Sequence, residues 1–320
     1  METNNLQRWS VTEPYLNLHC ELGEGPYYER ATQSIRFVDI LKKQLHTVSL
    51  AKGPASVTSI TLNETISVTA DIEGYDPSDK VLAGLKYGIA VLDRKYGSYE
   101  YLSRFEETPN ARVRSNDGAI DPNGKLWLGT MTDFDLGPFQ SEGKVRYDRD
   151  TTSQSDNSTG GLYKFDGSLP AKPVISNLTV PNSIGWSPDH KILYYTHTTT
   201  RQVFEFDFSV SASTISNQRV FYTHAGPGFP DGFRVDVDGN VWHAIYGEGK
   251  VLRISPDGKV TGEVLLPTLN ITCVEFVGTE MFVTTAGDDS GNSRSRELGG
   301  ALFRVNIGAE GMEHFLFKIT

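Results

Sequence analysis

The sequence predicts an all-β fold, a β-propeller of six blades, and three observations support it. Short alternating or apolar runs recur along the whole 320-residue chain, turn signals separate them at hairpin spacing, and one motif repeats. In chain order the runs are Ser34–Asp39, Leu45–Leu50, Ile66–Ala70, Ile89–Asp93, Lys125–Met131, Gly161–Asp166, Ile192–Thr196, Val203–Phe208, Val241–Ile245, Lys250–Ile254, Met281–Thr285 and Ala301–Ile307. Each has a strand's length and composition. Between them stand Asp121-Pro-Asn-Gly124, Ser187-Pro-Asp-His190, Asp238-Gly-Asn240 and Ser255-Pro-Asp-Gly258, residues that preset φ or tolerate positive φ. No long window shows helical periodicity. Ile72–Gly84 and Leu136–Thr159 read as insertions, the second as a lid or rim loop.

The repeat sets the architecture. Asn116-Asp-Gly-Ala-Ile-Asp-Pro-Asn-Gly-Lys-Leu-Trp127 matches Pro230-Asp-Gly-Phe-Arg-Val-Asp-Val-Asp-Gly-Asn-Val-Trp242, with Pro181-Asn-Ser-Ile-Gly-Trp-Ser-Pro-Asp-His-Lys-Ile-Leu-Tyr194 between them. The leading polar residues lie 66 (182 − 116) and 49 (231 − 182) positions apart. Repeats of ~40–50 residues with about four strands each are propeller blades, and 320 residues hold about six of them. A sandwich would not explain the repeated motif. Residues 1–20 are expected to close onto a propeller formed by residues 21–320. Trp127, Trp186 and Trp242 are expected at equivalent core positions. In a propeller the strand nearest the axis opens each blade, so Glu24, Asn116, Asn182 and Asp231 are expected at one mouth of the channel.

Composition narrows the function. With 30 Lys+Arg against 40 Asp+Glu the net charge is −10, which disfavours a nucleic-acid or anionic-membrane partner. Hydrophobic residues make up 38%, enough for a packed core. No run reaches the ~18–20 apolar residues of a membrane span, and no secretory signal is visible, so a cytoplasmic monomer or weak homo-oligomer is expected. Cys20 and Cys273 lie 253 positions apart (273 − 20) and are expected to be buried free thiols. There is no zinc-type Cys/His spacing, no GxxxxGK[ST], no GxGxxG opening a helix and no GxSxG. Two carboxylates and two carboxamides converging on an axis suit a hard divalent cation. Asp288–Asn292 lacks the glutamate of a calcium loop and reads as plain surface.

Five ordered motifs then carry a resemblance. They are LGEGP at Leu22–Pro26, RSNDGAIDPNGKLWLGTM at Arg114–Met131, PNSIGWSPDHKILYYT at Pro181–Thr196, FPDGFRVDVDGNVWHAIYGEGKVLRISPDGKV at Phe229–Val260 and TCVEFVGTEMFVTTA at Thr272–Ala286. Through them the chain resembles the SMP-30/gluconolactonase/luciferin-regenerating-enzyme family. The resemblance implies a propeller with one axial divalent metal ion (Ca2+, Zn2+, Mn2+, Mg2+ or Fe2+) held by Glu24, Asn182 and Asp231. It implies that Arg114 and Asn116 contact a sugar lactone and that Asp231 is the general base. Where the family often places an acidic residue after GTM, Asp133 is the expected substitute. Thr196-His197-Thr198 stands where the family usually has an acidic residue and a serine. The function implied is hydrolysis of an aldonolactone to the aldonic acid. The alternatives are a calcium-binding regulatory protein without turnover, or a hydrolase of non-sugar lactones or phosphotriesters.

Overall fold

The computed structural model describes residues 6–133, 160–165, 171, 173–290 and 292–319. These form six sheets arranged as a β-propeller, each built as an antiparallel meander from the axis outward. Blade I comprises Gly23–Glu29, Ser34–Asp39, Gln44–Ser49 and Thr58–Thr61. Blade II comprises Ile66–Ala70, Lys80–Leu85, Gly88–Asp93 and Tyr99–Arg104. Blade III comprises Val113–Ile120, Leu126–Thr132, Gly160–Phe165 and Pro173–Leu178. Blade IV comprises Pro181–Trp186, Ile192–His197, Gln202–Ser209 and Thr214–Thr223. Blade V comprises Phe229–Val235, Val241–Tyr246, Lys250–Ile254 and Val260–Leu265, with Gln7–Ser10 added in parallel outside. Blade VI comprises Ile271–Val277, Glu280–Thr285 and Ala301–Asn306, and Leu16–Asn17 supplies its outermost strand. First strands of consecutive blades pack side by side, and Ile271–Val277 closes the ring on Gly23–Glu29.

The repeated motif has a structural reason. Asp121, at the end of a first strand, accepts the turn N–H groups of Asn123 and Lys125, both at 2.9 Å, and the Trp127 indole N–H at 3.0 Å. Asp236 does the same for Asn240 (2.8 Å) and Trp242 (2.8 Å). One buried carboxylate thus ties turn, first strand and second strand, and satisfies an indole that burial would otherwise leave unpaired. Blade IV departs from the expectation. Ser187 takes the aspartate's place and Tyr194 the tryptophan's, while Trp186 lies on the first strand opposite Leu193 and packs on Phe208 and Phe315. Aligning the tryptophans rather than the turns misplaced it.

Two further expectations are corrected. The expected insertion Ile72–Gly84 is drawn too wide: its last five residues belong to Lys80–Leu85, the second strand of blade II, buried from Val81 onward and therefore without the alternation that marks a half-exposed strand. Asp288 is not plain surface either. It is 5% exposed and accepts the Ser295 hydroxyl, while Asn292 caps the short helix Ser293–Leu298. The expected lid, Leu136–Thr159, lies outside the described residues. At the far end of the channel the chain crosses from blade V to blade II, with Gly311 bridging Asp236 and Phe317 bridging Ile72. Both cysteines are buried and free. No described helix is long and apolar enough to cross a membrane.

Candidate metal centre and substrate mouth

All six first strands break register with their neighbours near their start. The shifts fall between Glu24 and Tyr27, Ile66 and Val68, Ser115 and Gly118, Pro181 and Ile184, Pro230 and Phe233, and Ile271 and Cys273. A bulge interrupts the alternation of faces and re-aims a side chain. The residues at these shifts include Asn116, Asp117, Asn182, Ser183, Asp231 and Thr272, with Glu24 directly beside the first. Close packing requires glycine at two of them. A Cβ on Gly232 would lie 2.4 Å from Cys273 Sγ, and Gly25 has φ +51° with Ser67 O only 3.0 Å from an added Cβ.

Hydrogen bonds between blades join the bulges. Ser67 Oγ donates to Ser115 Oγ at 2.7 Å, and Asn116 Nδ2 to Pro181 O at 2.9 Å. Ser183 Oγ donates to Asp117 Oδ2 and accepts from Phe233 N at 2.8 Å. Thr272 Oγ1 donates to Gly23 O at 2.6 Å, across the seam of the ring.

The structure joins Asn182 to Asp231 and sets Glu24 within electrostatic reach of Asp231. Asn182 Nδ2 donates to Asp231 Oδ1 and to Thr198 Oγ1 (3.2 Å), and its Oδ1 accepts from Ser183 N at 3.0 Å. Glu24 Oε2 accepts from Gly25 N at 3.0 Å. Arg114 and Asn116 adjoin them: Arg114 Nη1 donates to Asn116 Oδ1 at 3.0 Å and to Ser115 O at 2.7 Å. Asp133 lies at the outer end of the same group. Its Oδ2 is 2.6 Å from Lys86 Nζ and its Oδ1 is 3.4 Å from Arg114 Nε. Asp117 and Lys86 were not anticipated. Asp117 was legible, since it follows Asn116 in the repeat. Lys86 sits in a blade without the motif, and nothing in the sequence pointed to it.

Three carboxylates share this buried space: Glu24 is 8% exposed, Asp117 5% and Asp231 8%. Burial pushes the Glu24 carboxyl well above its ordinary range, and the charges of Asp231 and Asp117 push it further. Burial likewise raises Asp231, and Asp117 adds to the rise, while the hydrogen bond from Asn182 and the charge of Arg114 act against it. The Arg114 guanidinium is pulled down to about 10 by burial, with Asp133, Glu24 and Asp231 opposing. Such a cluster lacks positive charge, and its donors are all oxygen, the preference of hard divalent ions. Among the described residues no three His, Cys, Asp or Glu side chains form a metal-binding group by themselves. The Asn182 carboxamide is the third oxygen-bearing side chain beside Glu24 and Asp231, while both oxygens of Asp117 accept hydrogen bonds, from Ser183 Oγ and Gly118 N. These residues fit a divalent cation.

A six-bladed propeller with an oxygen-lined mouth is the class that fold and site define. The family model for the SMP-30/Gluconolactonase/LRE-like region matches residues 22–287, and the chain belongs to that family. Regucalcin of Pongo abelii is 30% identical over 308 residues, covering 93% of this chain and 95% of that protein. A pentonolactonase of Haloferax volcanii is 28% identical, covering 92% and 94%. The crystal structure of regucalcin from Agrobacterium tumefaciens, described as a calcium-binding protein, superposes with a TM-score of 0.82 over 98% of this chain and 99% of that one. At 24% identity that likeness speaks for the fold.

Proposed function

We propose that this protein is a divalent-metal-dependent lactonase that opens a sugar lactone to its aldonic acid. The observation that supports the reading is the bond of Asn182 to Asp231, with Glu24 in electrostatic reach of Asp231, beside the Arg114–Asn116 pair. The names of the pentonolactonase and of the family support the lactone as substrate class. Glu24, Asn182 and Asp231 would hold the cation, which when bound polarises the lactone carbonyl and offsets the crowded carboxylates.

The chain's own groups supply the rest. Asp231 Oδ1 is held by Asn182, which leaves Oδ2 to take a proton from the attacking water. Attack forms a new C–O bond at the acyl carbon, the ring C–O bond breaks, and the departing alkoxide takes up the proton that Asp231 accepted from the water. Arg114 and Asn116 present N–H donors to the lactone's hydroxyl and ring oxygens, and holding the ring against the base lowers the entropic barrier. A protein that only sensed metal would have no use for this clamp.

The test is a panel of five- and six-carbon aldonolactones followed by pH-stat, after chelation and reconstitution with Ca2+, Mg2+, Mn2+, Zn2+ or Fe2+. Hydrolysis that chelation abolishes and one of these ions restores is the expected result. A reconstituted protein that binds metal yet opens no lactone would overturn the proposal in favour of a regulatory role.

A further inference from the structure

Arg234 reaches across the ring beneath the candidate cation site. It stands on the first strand of blade V, three positions after Asp231 (234 − 231), and lines the channel with Tyr27 and His314. Its guanidinium ties three strands. Nη2 donates to Pro26 O of blade I at 3.1 Å, Nε to Glu275 Oε2 of blade VI at 3.2 Å, and Nη1 to Phe233 O of its own strand at 3.0 Å. Nη1 also lies 3.9 Å from Cys273 Sγ. Glu275 is held in turn: its Oε1 accepts from Phe276 N at 2.9 Å, and its Oε2 lies 2.8 Å from His314 Nε2. The arginine side chain is 16% exposed and the glutamate 4%, so the pair is buried together.

Two of these acceptors belong to the bulges that carry candidate metal ligands. Pro26 lies inside the register shift between Glu24 and Tyr27, and Phe233 ends the shift that contains Asp231. Proline has no N–H, so its carbonyl is the only main-chain group by which that point of the bulge can be tied. On the near side of Glu24, Thr272 Oγ1 of blade VI donates to Gly23 O at 2.6 Å. Glu24 is thus bracketed between a blade VI threonine and a blade V arginine. We infer that Arg234 is a positioning residue of the cation site: by tying the blade I bulge to blade V, it sets the span between Glu24 and Asp231. The inference rests on the metal reading proposed above and adds the group that fixes the width of the site.

The physical reason lies in how the ring is built. Glu24 and Asp231 stand in different sheets with blade VI between them, so no strand pairing sets their separation. A divalent ion requires its oxygen ligands within about 0.2 Å of the preferred distance. The guanidinium is a rigid planar fork, and carbonyls bound to its two ends are held at one spacing. Arg114 acts on both carboxyls through its charge, lowering them against their burial. Arg234 acts on the main chain that carries them, so its loss changes their spacing more than their charge.

The experiment compares the full-length wild type with Arg234→Lys and with the double variant Arg234→Met/Glu275→Gln. Lysine keeps a charge for Glu275 but lacks the planar fork. The double variant removes both charges, so that neither is left buried alone. Each protein is stripped by chelation and titrated calorimetrically with the ion that wild type binds most tightly among Ca2+, Mg2+, Mn2+, Zn2+ and Fe2+. Both variants should bind it at least about tenfold more weakly, the loss usual when a group that orients metal ligands is removed. In chelator Arg234→Lys should melt with the wild type. His314→Phe keeps the stack on Tyr27, removes only the bond to Glu275, and should bind the ion as wild type does. Metal-free crystal structures of wild type and double variant give a reading independent of activity, and should show the Glu24 carboxylate displaced relative to Asp231. Wild-type affinity in either Arg234 variant, or an unmoved Glu24, would overturn the inference. So would an equal loss of affinity in His314→Phe, the mark of a general loosening of the channel. A wild type that takes up none of the ions would instead strike the proposed metal site, and the crystal structures would then decide the role of Arg234.

Discussion

Replacing Asp231 with asparagine should make the metal-free protein more stable while destroying its function. The side chain keeps its shape and its acceptor for Asn182 Nδ2, but one of three carboxylates in the space shared with Glu24 and Asp117 loses its charge. Relief of a buried, uncompensated polar group is worth on the order of 1–3 kcal/mol. An unfolding entropy of ~2.1 cal/mol/K per residue over 320 residues gives about 0.67 kcal/mol/K, so melting should rise by about 1.5–4.5 °C. A cation at a hundred times its Kd adds ~2.7 kcal/mol, or about 4 °C, to the wild type and much less to the variant. The gain also depends on pH. Because the folded Asp231 carboxyl is raised, the wild type carries the cost of ionising it only at higher pH, so the variant's advantage fades as pH falls through that raised value. Differential scanning calorimetry in chelator and in saturating Ca2+ checks this. A metal-free Asp231→Asn that melts below the metal-free wild type would refute the reasoning.

Metal uptake at neutral or mildly acidic pH should release protons, since Glu24 and Asp231 hold theirs more tightly than ordinary carboxyls in the metal-free state; titration calorimetry in buffers of different ionisation enthalpy measures the number. Ser183→Ala removes the hydroxyl that bridges Asp117 and Phe233 N, and should cost about 1–3 kcal/mol in thermal unfolding together with weaker metal binding. His243 is buried against Thr196 and the backbone, and burial holds its pKa down at about 3. The unfolded chain then binds a proton that the fold does not between pH ~6.5 and about 3, so stability falls as pH drops through that window. His243→Gln should show a shallower decline of melting temperature from pH 7 to 4.5 on the order of one protonation.

The blades were legible because their turns and polar starts repeat with chemistry attached. Asp121 and Asp236 must sit where they do to accept both turn and indole, so the motif survives in the letters of the sequence. The positions of Glu24, Asn182 and Asp231 at the starts of first strands were legible for the same reason, each beside or within a bulge that a small neighbour makes possible. What escaped was three-dimensional in origin. Lys80–Leu85 is buried from Val81 onward and shows no period, and Trp186 mimics a repeat position that the strand register gives to Tyr194. Lys86 reaches the mouth from a hairpin tip of blade II, a placement set by blade geometry rather than by local pattern.

The strand Leu16–Asn17 pairs with Ala301 and Leu302, residues some 285 positions further on. During synthesis the amino-terminal end must therefore wait for nearly the whole polypeptide before the last blade is complete. Non-local pairing of this kind is slow, and it leaves an open circle whose two halves can drift apart. Glu24 stands at that gap, next to the Gly23 carbonyl that Thr272 grips from the other side. On the reading proposed above, competence for the cation would be the last property the nascent molecule acquires, and an ion present at that moment would act as the clasp on the ring.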